Sequence, residues 1–224
     1  MEIRSGPGSQ EQVGRGRPGA LTERWWHSPV MLLVAPAIYA RASVNQDTSA
    51  NEIFAQHLYI VSHPTWTTFA GLWRIDYWAD VEPATGQAIE FGGDRNLYRP
   101  VTIASFWLNA RLLSTGGRLA RVEPAMFRWG NVLLHALAAT AVGLWISRWL
   151  GPVLGGLAML VIAVHPVTTE VINRIVGRAD ILIVLGVAGF LLVQRGAQLA
   201  RDGWTWWRML LGALAAAIAV GSKE

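Results

Sequence analysis

The sequence contains no cysteine. Disulfide bonds, thiol nucleophiles and thiolate ligands for metal ions are therefore all excluded. Lysine is nearly absent too, since Lys223 is the only one among the 19 basic residues. Any chemistry must rest on carboxylates, histidines and arginines, and the net charge of +4 is carried by arginine, whose guanidinium suits contact with phosphate.

Charged residues of either sign are also scarce. They make up 15% of the 224 residues, whereas 52% are hydrophobic and the mean hydropathy is +0.31. Soluble domains carry about 25% charged residues. The composition therefore predicts a membrane protein in contact with lipids, and it argues against nucleic acid as a partner.

Apolar stretches bounded by charged residues predict an all-α, polytopic integral membrane protein with about five transmembrane helices. The first stretch covers residues 29–40. The other four are bounded by the pairs Arg128/Arg148, Arg148/His165, Asp180/Arg195 and Arg208/Lys223. Some are shorter than the roughly 20 residues that cross a bilayer, so arginines at their ends must snorkel towards the interface.

The rest of the chain is predicted to form a tail and a long loop. Residues 1–24 are rich in Gly, Pro, Ser and Arg, which predicts a disordered cytoplasmic tail. Residues 25–224 are predicted to form the membrane domain, with an exterior loop at residues 42–128 after the first span.

One part of the exterior loop has the pattern of a helix. Residues 101–113 place apolar side chains on one helical face and polar ones on the other, the polar ones being Thr102, Ser105 and Asn109. This pattern is typical of a helix that lies at a membrane interface.

The arginines predict the orientation of the chain. Arg148 lies at the turn between the second and third spans, and Arg195, Arg201 and Arg208 lie around the turn between the fourth and fifth. Tryptophans cluster at the same turns, as they do at a membrane–water interface. We expect these turns and the tail on the cytoplasmic side of a bacterial inner membrane, and the loop and residues 165–180 on the exterior side.

Ionisable residues are concentrated in the stretch HPVTTEVINRIVGRAD, between the third and fourth spans. The five are His165, Glu170, Arg174, Arg178 and Asp180. On one continuous helix Glu170 would pair with Arg174, and Arg178 would follow on the same face. Such residues indicate function where they face a cavity, and the alternative is a solvated loop with charges at helix ends.

Three further motifs contain residues suited to a site. Asn131 and His135 share a helical face in NVLLHA, where a histidine that only satisfies a carbonyl is the alternative to a site role. Tyr98 and Arg99 lie in LYRPVT, and Arg99 can either hold a phosphate with both arms or anchor the loop to lipid headgroups. Asp76, in RIDYWAD, is a carboxylate beside aromatic residues and a candidate general base.

The order of these motifs is more specific than any one of them. DYW and YRP occur in the loop, N-x-x-x-H begins a span, HP-x-x-x-E and GRAD surround an outer turn, and a span ends in SKE. This order resembles the transmembrane and tetratricopeptide-repeat O-mannosyltransferases, which are GT-C glycosyltransferases, and the resemblance covers residues 53–224. It implies the N-terminal membrane part of an enzyme that moves mannose from a polyprenyl-phosphate carrier to Ser or Thr of exported proteins.

The resemblance also implies roles for residues at matching positions. Asp76 is the implied catalytic carboxylate, and Arg99 and Arg178 would clamp the departing lipid phosphate. The implied substrate-binding residues are Tyr98, Arg99, Asn131, His135, His165, Glu170, Arg178 and Asp180. A divalent metal would have to bind without a dedicated ligand set, because the sequence shows none.

One family motif is missing. An acidic pair usually lies shortly before an N-P or H-P turn, but the corresponding position before His63-Pro64 reads FAQ, and Glu52 is the nearest acid. Glu52 is therefore the second candidate for the catalytic base. The alternative is a degenerate or truncated membrane scaffold without transfer activity, and transport is a third class of function. Family members continue beyond SKE, so we expect a fragment of a longer protein.

Overall fold

The structure, a computed structural model, describes residues 58–90, 97–113, 124–200 and 203–223. Most of these residues are helical. The predicted tail at residues 1–24, the first predicted span at residues 29–40 and Glu52 lie outside the described residues.

The first described part is a small folded unit, hereafter the loop unit, which comprises residues 58–90 and 97–113. Its elements are α1 (Leu58–Ser62), α2 (Trp66–Gly71), a 3-10 turn (Leu72–Arg74), β1 (Ala79–Val81), β2 (Ala88–Glu90) and α3 (Pro100–Leu113). The strands pair antiparallel, with Asp80 opposite Ile89. This hairpin is a local exception to the predicted all-α fold, whereas α3 confirms the predicted helix.

The buried carboxylate of Asp80 ties α1 to the hairpin. It accepts hydrogen bonds from the backbone N–H groups of Tyr59 (2.7 Å), Ile60 (3.1 Å) and Val81 (2.7 Å). Burial raises the pKa of this carboxyl above its ordinary value, and the three donors, which favour the ionised form, offset only part of the rise. Asp80 is not among the predicted site residues, and its role here is to hold the backbone of the loop unit.

The second described part consists of apolar helices. They are α4 (Pro124–Leu150), α5 (Pro152–Val164), α6 (Pro166–Asn173), α7 (Arg178–Leu199) and α8 (Trp206–Ser222), and a 3-10 turn (Ile175–Gly177) precedes α7. Helices α3 to α6 each begin with a proline. Proline suits the first helical position because it has no N–H group to leave unpaired there and its φ angle is already helical.

Within the described ranges, two segments are long and apolar enough to cross a membrane, Ala125–Leu150 and Ile175–Leu199. Helices α5 and α6 could form a third span, but they are bent by 53° relative to each other, and α8 is apolar with only 17 residues. The chain is thus an integral membrane protein with two or three candidate spans among the described residues. The predicted number of five is not confirmed, although an apolar helix lies at each predicted position after the first.

Small residues bring α4 and α5 close together. A Cβ atom added to Gly155 on α5 would lie 2.6 Å from the carbonyl oxygen of Gly143 on α4. At the next residue, Gly156, no atom of the part of the chain that the structure describes lies within 4 Å of the corresponding position. In a membrane, where lipid tails are as apolar as side chains, such close backbone contact is a main source of helix association.

The bundle has two chemically different ends. The Cζ atom of Arg195 on α7 lies 3.8 Å from the centre of the Trp149 ring on α4, so the turns after these two helices share one end, as the arginines predict. We call it the arginine-rich end, defined by Arg148, Arg195 and Arg208. The loop unit and residues 165–180 occupy the opposite, loop-side end. The assignment of these ends to cytoplasm and exterior stays a prediction.

We expect Gly155→Ala to lower the free energy of unfolding by about 1 to 3 kcal/mol, because the new methyl group overpacks the contact between α4 and α5. Gly156→Ala is the matched control on the same helix and should be neutral or stabilising by up to about 1 kcal/mol, since alanine favours helix. Thermal unfolding in detergent micelles measures both. Equal effects of the two substitutions would contradict this packing.

Candidate functional site

A buried arginine joins three helices at the loop-side end. Arg178, the first residue of α7, is 1% exposed. Its Nε donates to Asn131 Oδ1 (2.7 Å), its Nη1 to the carbonyl of Ser105 (3.1 Å), and its Nη2 to Asn109 Oδ1 (2.9 Å) and the carbonyl of Phe127 (2.7 Å). The guanidinium is therefore shared by α3, α4 and α7.

Asn131 extends this network to the turn between α6 and α7. Its Nδ2 donates towards the carbonyl oxygens of Ile172 (3.3 Å), Arg174 (3.0 Å) and Ile175 (3.4 Å). Because its Oδ1 accepts from Arg178, this fully buried amide is satisfied on both sides. Asn131 thus fixes the backbone that carries Arg174.

The prediction that Arg178 clamps a donor phosphate does not fit its placement. The four bonds above occupy most of its N–H donors, and almost none of its surface is exposed. The continuous helix assumed for Glu170, Arg174 and Arg178 ends at Asn173, and the extended backbone of Arg174 (ψ 123°) together with the 3-10 turn directs Arg178 inward.

The pairing of Glu170 with Arg174 is confirmed. Glu170 Oε1 and Arg174 Nη1 lie 3.5 Å apart, with 72% and 61% of the two side chains exposed. Both residues face an open cleft of about 520 Å³ between the loop unit and the turn that follows α6. The polar and aromatic residues that line the cleft are Tyr77, Trp78, Arg99, Glu170, Arg174 and Asp180.

Arg99 lines the loop-unit side of this cleft. Its Cζ lies 5.2 Å from the centre of the Tyr77 ring, a cation–π contact. Its Nε is buried and has no hydrogen-bond partner among the described residues. A buried donor of this kind is costly, which makes Arg99 the residue of the cleft best suited to receive a ligand oxygen.

Asp76 and Tyr98 hold the segment that presents Arg99. The two carboxylate oxygens of Asp76 accept from the backbone N–H groups of Trp78 and Leu97, each at 2.9 Å. The hydroxyl of Tyr98 donates to the carbonyl of Trp73 at 2.9 Å. Neither side chain lines the cleft. Both hold backbone next to Arg99, and the predicted catalytic role of Asp76 stays a prediction.

The two predicted histidines contact backbone groups. His135 Nε2 lies 3.2 Å from the carbonyl oxygen of Ile162, which is the carbonyl-satisfying alternative considered above. His165 Nδ1 accepts from the N–H of Val167 (3.2 Å) and so caps the start of α6. Neither histidine lines the cleft. Across the described ranges, no group of three or more His, Asp or Glu side chains could hold a metal ion.

Ser222 and Lys223 make contacts at the loop-side end that sequence reasoning missed. Lys223 Nζ lies 3.0 Å from Asp180 Oδ1, and the hydroxyl of Thr102 donates to the carbonyl of Ser222 at 3.0 Å. With Asn109 bound to Arg178, the polar face of α3 packs against protein rather than lipid headgroups, which corrects the interfacial prediction. The only sequence signal for these contacts was that Lys223 belongs to the SKE motif.

Known proteins similar to this chain are protein O-mannosyl-transferases. TMTC4 of Homo sapiens is 32% identical over 135 residues, covering 53% of this chain and 16% of the relative. TMTC4 of Mus musculus is 29% identical over 180 residues, covering 70% and 22%, and Tmtc1 of Drosophila melanogaster is 31% identical over 156 residues, covering 69% and 16%.

The chain resembles a part of these transferases. It spans between 16% and 22% of the length of the three relatives. No family model and no solved structure matches it. The resemblance read from the motif order is thus confirmed by curated relatives.

We expect Arg178→Lys to lower the free energy of unfolding by about 3 kcal/mol, because lysine cannot replace the four bonds and leaves buried acceptors unpaired. Arg174→Lys, at an exposed position nearby, is the control and should change it by no more than about 0.5 kcal/mol. Thermal unfolding in detergent measures both. Unchanged unfolding of Arg178→Lys would show that the network is not structural.

Proposed function

We propose that this chain is part of a membrane glycosyltransferase that moves a sugar from a polyprenyl-phosphate donor to Ser or Thr of exported proteins. The observation that carries the proposal is the cleft at the loop-side end. It brings Arg99 of the YRP motif together with Glu170 and Asp180 of the HP-x-x-x-E and GRAD motifs. The similarity to part of the O-mannosyl-transferases supports the same chemistry.

The charges of the cleft suit a phosphate diester. Arg174 is paired with Glu170, and Asp180 with Lys223, so these four charges balance. Arg99 adds one positive charge, with a buried Nε that lacks a partner among the described residues. A sugar linked to a polyprenyl phosphate carries one negative charge, which Arg99 would neutralise through a charge-assisted hydrogen bond.

The proposed reaction is an inverting displacement. The acceptor hydroxyl oxygen attacks the anomeric carbon, the bond from that carbon to the phosphate oxygen breaks, and the lipid phosphate leaves with the electron pair. A carboxylate takes the hydroxyl proton. Arg99 and Arg174 would stabilise the departing phosphate, with Arg174 in the role that the sequence assigned to Arg178.

The proposed acceptor protein determines which side of the membrane the cleft would face. Exported proteins meet the enzyme outside the cytoplasm, so the loop-side end would face the exterior of a bacterial inner membrane and the arginine-rich end the cytoplasm. Residues 25–224 would then be the N-terminal part of a GT-C-like membrane domain, with residues 1–24 as a cytoplasmic tail. The exterior loop, predicted at residues 42–128, would end where α4 begins, at Pro124.

We expect Arg99→Lys to weaken binding of a polyprenyl-phosphate mannose by about 1 to 3 kcal/mol, because lysine keeps the charge but loses the planar fork. Arg74→Lys is the matched control, since Arg74 lies exposed in the loop unit away from the cleft. Binding to the purified protein in detergent is measured with both variants. Equal affinities of Arg99→Lys and wild type for the donor would show that the cleft is not the donor site.

We expect Asp76→Asn to lower sugar transfer by about 100- to 10,000-fold, the usual effect of removing a general base, while the protein stays folded and inserted in the membrane. Glu52→Gln should be mild by comparison. The assay is transfer from the polyprenyl-phosphate donor to a Ser/Thr peptide, with the longest protein that the gene encodes. The assignment is wrong if Glu52→Gln abolishes transfer and Asp76→Asn does not. Donor binding without any transfer by wild type would favour the degenerate scaffold.

A further inference from the structure

A second cavity, of about 360 Å³, opens at the arginine-rich end. It is lined by Arg148 of α4, by Leu192, Val193 and Gly196 of α7, and by Trp207 and Arg208 of α8. An adjoining cavity of about 320 Å³ shares Arg148 and Gly196. Because α7 separates this end from Arg178 by its full length, the proposed donor cleft and this cavity are different sites.

The sequence around this cavity is strongly basic. Four arginines lie here along the chain, Arg148, Arg195, Arg201 and Arg208, whereas the two turns contain one acid, Asp202. These five charged residues sum to a net charge of +3 in the sequence. Such an excess at the end of a helix bundle attracts anionic headgroups.

Two of these side chains, those of Arg195 and Arg208, are held by aromatic and backbone contacts. Arg208 donates to the carbonyl of Gly203, and its Cζ lies 4.8 Å from the centre of the Trp207 ring. Arg195 lies over Trp149, and its Nε is buried with no hydrogen-bond partner among the described residues. Tryptophan and arginine together are typical of the headgroup level of a membrane.

The cavity changes from cationic to apolar along α7. Gly196 is near the end of the helix, and Leu192 lies one turn deeper, about 6 Å towards the middle of the bundle. The walls thus offer charge at the surface and aliphatic carbon below it. This gradient matches a phospholipid, with its phosphate above and its acyl chains below, and it does not match a free phosphate ion.

We propose that this cavity binds the headgroup of an anionic phospholipid, whose phosphate contacts Arg148 and Arg208 and whose chains pack against Leu192 and Val193. Guanidinium groups bind phosphate oxygens with two parallel hydrogen bonds, which favours arginine over lysine at such a site. The proposal does not depend on the glycosyltransferase activity, because it concerns the opposite end of the bundle.

Native mass spectrometry in detergent tests the proposal. It measures how much phosphatidylglycerol the purified protein retains, compared with phosphatidylcholine at equal concentration. Wild type should retain phosphatidylglycerol preferentially. The double substitution of Arg148→Gln and Arg208→Gln should reduce this preference by roughly fivefold for each arginine. Arg111→Gln, an exposed arginine of α3 outside the cavity, is the control and should keep it.

Gly196→Leu tests the cavity without changing charge. Among the described residues, a Cβ at this position would meet only Arg148 Nη1, at 3.5 Å, so the longer side chain would fill the cavity rather than disrupt a helix contact. We expect the preference for phosphatidylglycerol to be lost in this variant as well. A preference that survives Gly196→Leu would overturn the proposal and show diffuse attraction to the charged surface instead. Displacement of phosphatidylglycerol by inorganic phosphate alone would show that the site binds phosphate and not a lipid.

Discussion

The burial of the Arg178 guanidinium is the constraint on which the loop-side end depends. A charge removed from water is tolerated only when its donors find acceptors, and breaking such an arrangement costs about 3 to 5 kcal/mol. Here the acceptors come from Ser105 and Asn109 on α3 and from Phe127 and Asn131 on α4. The hydrogen bonds of Arg178 therefore help to hold the loop unit against the membrane helices.

This constraint also shapes the cleft. Helix α3 begins directly after Arg99, so the hydrogen bonds of α3 to Arg178 also position the cleft wall that contains Arg99. Asn131 holds the backbone of Arg174, which lies in the opposite wall. The ion pair of Lys223 with Asp180 adds the end of α8 to the same region. Arg178 thus acts on the proposed chemistry as a positioning residue, because the groups that face the cleft are arranged around it.

Charge is divided between the two ends of the bundle. At the loop-side end, two carboxylates are paired with two cations around an open cleft. Arg99 adds one further positive charge to this cleft, which suits a ligand with a single negative charge. At the opposite end, arginines outnumber acids and lie beside tryptophans, as at a membrane surface. The apolar helices between the ends keep these two environments apart.

The sequence by itself determined the apolar helices, the helix predicted at residues 101–113, the pairing of Glu170 with Arg174 and the motif order shared with O-mannosyl-transferases, because these depend on local periodicity and on residue types. Only the tertiary structure decided the direction of Arg178. A helix of unbroken period would have placed it beside Arg174, but the 3-10 turn before α7 directs it inward. Its acceptors lie 47 to 73 residues away in the chain, and no local pattern can reveal contacts of that separation.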